Sequence, residues 1–194
     1  MLKLLIALIK VSNILWLFPI IRQRKGRYSF FFATLSVAGA IETTLVFIHL
    51  QNFSNLTNVF VLILIIIFLI AQEQQKQFSL GFILLPVIWI GIILAIHSHK
   101  FEGMNMLAFS IVIVGLFLRR LIIETVSNQY FNLFTVVLLS YIMSMALRTF
   151  FAITRTDVGI NYYLFSILFE MICGLFFIIF TEGNPKLTLR IGSN

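Results

Sequence analysis

Apolar runs alternate with short polar breaks along almost the whole chain. The runs lie at about 2–21, 29–50, 55–72, 78–98, 104–123, 130–153 and 161–181. Each is close to the ~20 residues that an α-helix needs to cross the hydrocarbon core of a bilayer. The pattern predicts an all-α integral membrane protein: a bundle of seven transmembrane helices forming one polytopic domain over 1–194, with no soluble domain. The third run, VFVLILIIIFLIA, holds no ionisable residue. The fifth is the weakest, because Arg119 and Arg120 come early in it. Those side chains can snorkel to the interface, so the span stands. Should it fail, the count falls to six and the C-terminus changes side. Pro19 and Pro86 fall inside runs, and Pro86 reads as a packing kink that neighbouring groups absorb.

The breaks set the orientation. RQRKGR puts Arg22, Arg24, Lys25 and Arg27 within six residues, the strongest positive-inside signal in the chain. Alternate breaks carry Lys76, then Arg119 and Arg120, then Lys186 and Arg190. The N-terminus is therefore expected outside and the C-terminus in the cytoplasm. The outer loops QNFSNLTN, SHKFEGMN and TRTDVGIN are short. The start, MLKLLIALIK, reads as an uncleaved first helix, since Lys10 interrupts it and no small-residue cleavage site follows.

Composition agrees. Hydrophobic residues make up 60% of the 194 and charged residues 11%, against roughly 45–50% and 25% in soluble domains. Mean hydropathy is +1.05. The net charge of +7 reflects the basic loops; without a basic face or a recognition motif it does not indicate nucleic acid. The single cysteine, Cys173, excludes an internal disulfide and reads as a small core residue. The bias toward Phe, Ile, Leu and Asn suggests an AT-rich bacterial genome, hence a bacterial cytoplasmic (inner) membrane.

Ionisable groups inside the runs are the candidate chemistry, because a charge at the bilayer centre costs at least ~2.5–3.5 kcal/mol and needs a partner. Lys10, Glu42 and Glu170 lie roughly 12–13 Å below the outer ends of three separate helices at 1.5 Å per residue, and Arg148 sits somewhat higher. Lys10, Glu42, Arg148 and Glu170 are thus the candidate ligand or ion pocket, with Asn13, His49, Ser144 and Ser166 as secondary members. Glu42 is expected to be held by Lys10 or Arg148. Ser140, Ser144 and Arg148 form one stripe, and Ser166, Glu170 and Gly174 another. Small residues around Glu42, including Ser36 and Gly39, allow a second backbone to approach. The competing reading is of structural ion pairs that only fix helix register.

No HExxH, GxSxG, P-loop or CxxC motif occurs. No catalytic residue, metal site or cofactor is expected; His97 and His99 read as interfacial. The seventh run, YYLFSILFEMICGLFFIIF, has no lysine to carry retinal. The leading expectation is a non-enzymatic membrane protein, a sensor or accessory subunit that meets the lipid bilayer and a membrane-protein partner or a second copy. The alternative is a transporter or channel whose outward cavity is lined by the intramembrane Glu, Lys and Arg.

Overall fold

A computed structural model describes residues 2–47, 54–73, 81–96, 98–154 and 159–190. The helices are α1 (Leu2–Leu15), α2 (Pro19–Gln23), α3 (Ser29–Phe47), α4 (Ser54–Glu73), α5 (Gly81–Ile96), α6 (His99–Asn128), α7 (Leu133–Thr154) and α8 (Gly159–Ile179). A two-stranded antiparallel ribbon joins β1 (Tyr130–Asn132) to β2 (Thr188–Arg190), with Phe131 opposite Leu189. Among the described residues, α6, α7 and α8 contain stretches long and apolar enough to cross a membrane: Lys100–Ser127, Leu133–Thr154 and Asn161–Ile179. The apolar stretches Ser29–Leu45, Asn58–Gln72 and Pro86–Ile96 are shorter.

The first run is not one helix. Pro19 has no N–H to offer the carbonyl one turn back, so α1 stops. The chain tightens there, with Leu17 N bonded to Ile14 O at 3.1 Å and Phe18 N to Leu15 O at 3.2 Å. It restarts as α2 with Pro19 at the first position, where a missing N–H costs nothing. The break frees the Trp16 carbonyl, and Ser36 Oγ of α3 donates to it at 3.0 Å.

The fifth run, read as the weakest, forms the longest helix, α6, of 30 residues. Ser98 caps it, accepting from Phe101 N. At its other end Arg120 is not left to lipid: it donates to Gln72 Oε1 at 3.1 Å and pairs with Glu124 one turn on. Gln129 then closes α6 in the left-handed region, φ 55°. The sixth run starts later than its hydropathy suggests, because residues 130–132 are spent on the ribbon, and Asn132 Oδ1 caps α7 by accepting from Phe134 N.

Neighbouring packing runs α1–α3–α4–α6–α7–α8 and back to α1, a closed ring of six helices, with α5 outside it against α4 and α6. Small residues set two of the close approaches. The Asn13 carbonyl lies 3.2 Å from where a Cβ on Gly39 would be, and Leu15 Cδ2 lies 2.7 Å from the same point on Gly174. The core fills only part of the ring. Phe31, Phe32, Phe117, Phe134, Phe177 and Tyr28 are packed together with almost no exposure.

Candidate functional site

Above this aromatic core the ring opens into a cleft of about 940 Å³. It lies at the end of the bundle where α3 stops and α4, α6 and α8 begin. Every helix of the ring sends a polar side chain to it: Asn13 from α1, Glu42 from α3, Asn58 from α4, Lys100 from α6, Arg148 from α7 and Glu170 from α8.

Two polar pairs face the cleft. Arg148 Nη1 lies 2.9 Å from Glu170 Oε1 and donates to Oε2 at 3.0 Å. Glu170 is nearly covered, at 9% side-chain exposure, while Arg148 retains 34%. One turn away, Ser144 Oγ and Ser166 Oγ are 3.3 Å apart, so the α7 and α8 stripes meet rung by rung. On the other pair of helices, Asn58 Nδ2 donates to Glu42 Oε1 at 2.7 Å. Arg148 binds Glu170 through one terminal nitrogen, and a guanidinium has further N–H donors. The cleft thus presents both charge signs from its wall.

The floor is aromatic. Trp16 and Tyr141 line the cleft with ring centroids 4.3 Å apart. Beneath them Phe177 meets Trp16 at 6.0 Å, Phe32 at 5.0 Å and Phe134 at 5.1 Å, and Tyr28 meets Phe117 at 5.4 Å. The buried Trp16 Nε1 has no hydrogen-bond acceptor among the described residues.

The opposite, basic end is tied shut. Gln23 Nε2 donates to the Phe177 and Phe180 carbonyls at 2.6 Å, satisfying acceptors that the end of α8 leaves open. Arg27 pairs through its side chain with Glu124 and donates its backbone N–H to Glu182 Oε2 at 3.0 Å. Gln72 Nε2 donates to the Arg27 carbonyl at 3.2 Å. The Arg120 guanidinium lies over the Tyr28 ring, 5.0 Å from its centroid. Burial pushes the Tyr28 hydroxyl up to about 12, with Arg120 opposing. Burial also raises the Glu182 carboxyl above its ordinary value, against the pull of the Arg27 N–H and the Arg27 and Arg120 charges.

Of the candidates read from sequence, Glu42, Arg148, Glu170 and Asn13 meet at the cleft. Lys10 is exposed and does not line it. Glu42 was expected to be held by Lys10 or Arg148. Its carboxylate accepts from Asn58, and Arg148 pairs with Glu170, because α7 and α8 are adjacent and their stripes are in register. Ser144 and Ser166 bond each other beside the cleft rather than lining it. His49 and His97 lie outside the described residues. Sequence reading missed Asn58, Lys100, Trp16, Tyr141 and Tyr163, all at the cleft. Asn58 falls both in the outer break QNFSNLTN and in the run 55–72; α4 begins at Ser54 and carries it as a helical residue, and a serine ahead of an apolar run is the signal for that start. Among the described residues no group of three His, Cys, Asp or Glu side chains is placed to hold a metal ion. Comparison with family models, with curated proteins and with solved structures gives no match.

Proposed function

We propose that this chain is a membrane transport protein that takes a small zwitterionic solute, of amino-acid size, into a cleft open to the outer face. The observation that carries the reading is the asymmetry of the ring: a charged cleft at one end, closed from the other by an aromatic layer and a polar lock. A volume of about 940 Å³ is ample for such a solute. Arg148 and Lys100 suit its carboxylate, and Glu42, with Asn58, suits its ammonium group. The lock at the basic end is built of hydrogen bonds and ion pairs between separate elements, and such contacts can exchange partners during an opening.

The topology belongs to this proposal. Seven spans, with α1 and α2 together making the first, put the N-terminus outside, the C-terminus in the cytoplasm and the lock on the inner face. The Arg and Lys residues of the α2–α3 turn support it, and so does the bias toward a bacterial inner membrane.

A sensor or accessory subunit is the second reading. It is favoured by α5, which lies outside the ring and leaves Leu84, Val87, Ile88 and Ile92 exposed to lipid, a partner or a second copy. Reconstituted vesicles separate the two. Uptake of a labelled amino-acid mixture, lost in Glu42→Gln while the variant still folds, supports transport. Stabilisation by the same mixture without uptake supports the sensor. Neither response leaves the charges as helix-register pairs and ends both readings of the cleft.

A further inference from the structure

A second concavity, of about 960 Å³, lies at the basic end. Arg22, at the end of α2, and Arg24, Lys25 and Arg27, in the turn between α2 and α3, all line it. Two carboxylates, Glu124 and Glu182, line it as well, and Arg27 engages both. Arg120 takes a further share of Glu124, at 3.4 Å. The negative charge is therefore already occupied. Arg22, Arg24 and Lys25 are exposed, and among the described residues no carboxylate pairs with any of them. Thr181 and Thr188 complete the wall, the Thr188 hydroxyl being donated to the Pro185 carbonyl at 2.9 Å.

The turn that carries these cations is held in place. Gly26 N bonds to Gln23 O at 3.0 Å and Ser29 N to Gly26 O at 3.1 Å. The Gln23 side chain anchors the turn to α8, Gln72 anchors it to α4 and Glu124 to α6. Membrane topology explains why basic residues occupy this loop. It does not require that four of them line one concavity on a turn fixed from three other helices. Guanidinium groups carried on a turn whose backbone is held in place suit the bidentate recognition of phosphate oxygens.

We propose that this concavity is a binding site for a phosphate-bearing anion, either the headgroup of an anionic phospholipid or a soluble phosphate. The site shares no lining residue with the solute cleft.

The test uses the full chain, with Arg24→Gln/Lys25→Gln as the variant; Arg22 and Arg27 remain to hold the topology. Arg119→Gln/Lys186→Gln, outside the concavity, controls for loss of charge near the same end. Thermal unfolding is followed in neutral detergent with pyrophosphate against chloride at equal ionic strength. It is repeated in nanodiscs of phosphatidylcholine with and without phosphatidylglycerol. Stabilisation by pyrophosphate, with apparent affinity at least about fivefold weaker in the variant and unchanged in the control, assigns a soluble phosphate. Stabilisation by phosphatidylglycerol alone, lost in the same variant, assigns the headgroup. No stabilisation, or equal stabilisation of all three proteins, overturns the proposal. Should the doubly neutral variant not fold, Arg22→Lys/Arg24→Lys keeps every charge, removes the forked geometry and carries the same comparison.

Discussion

The two ends of the ring are built from the same helices and treat their polar groups differently. At the basic end Gln23, Gln72, Arg120 and Glu124 bond across elements and close on an aromatic core. At the other end Arg148–Glu170 and Glu42–Asn58 stand on separate helix pairs with about 940 Å³ between them. Bulk decides the difference. Phe31, Phe32, Phe117, Phe134 and Phe177 fill the ring at one level. At the other, Asn13, Glu42, Asn58, Lys100, Arg148 and Glu170 line a space that no such layer fills. The ties at the basic end contribute stability beside a basic surface concavity, and the other end leaves a cleft between the helices themselves.

The largest break in this contrast is expected at the open end. Arg148→Ala strands Glu170, which is almost fully covered, and should cost about 3–5 kcal/mol in detergent unfolding. Replacing the pair as Arg148→Met/Glu170→Leu should restore most of that stability and leave solute binding absent. A double variant that still binds solute would show that the pair serves structure alone.

Gln23→Leu attacks the closed end. It leaves the Phe177 and Phe180 carbonyls without their donor, at a cost of about 2–3 kcal/mol. Loosening there should also raise protease cleavage near 181–184 more than cleavage at 154–159. Equal cleavage at both would mean that Gln23 does not close the end locally.

Gly39→Val tests the wall between the regions. Its Cβ would meet the Asn13 carbonyl, a backbone atom, at 3.2 Å, so α1 must shift away from α3. A loss of about 1–3 kcal/mol is expected in the same unfolding assay, together with weaker solute binding, because Asn13 and Glu42 would part.

The smallest effect concerns pH at the closed end. The folded-state pKa of Glu182 is raised by burial. Its contribution is therefore fully present below the unfolded carboxyl value and is lost as pH rises through the folded value. Glu182→Gln should flatten that part of the unfolding profile and leave the chain slightly more stable near neutral pH. A profile identical to that of the original chain would mean that Arg27, Arg120 and Glu124 leave Glu182 no net preference for its proton.

Sequence pattern reached far into this fold where a helix depends on its own residues. Hydropathy located α3 to α5, α7 and α8 within a few residues, since an apolar run that long has few alternatives to a helix, but α6 runs five residues past its apolar run at each end, where polar side chains find partners. Hydropathy also joined α1 to α2, although Pro19 was visible, because apolar character continues across the break while the backbone hydrogen bonding does not. Lys10, Glu42, Arg148 and Glu170 stood out in the sequence because a costly charge marks itself; Glu42, Arg148 and Glu170 line the cleft and Lys10 does not. Charge did not mark Asn58 or Tyr141, whose uncharged side chains fit loops and interfaces equally well.

The sequence by itself determined that the chain is helical, with stretches apolar enough to cross a membrane, and which few residues carry charge inside its apolar runs. Only the tertiary structure decided that Arg148 pairs with Glu170, that Glu42 bonds Asn58, and that α5 stands outside the ring. A helix's period fixes which residues share its face, but not which helix comes to lie opposite. That choice rests on small residues such as Gly39 and Gly174, which admit α1, and on aromatic side chains that interlock at one level of the ring.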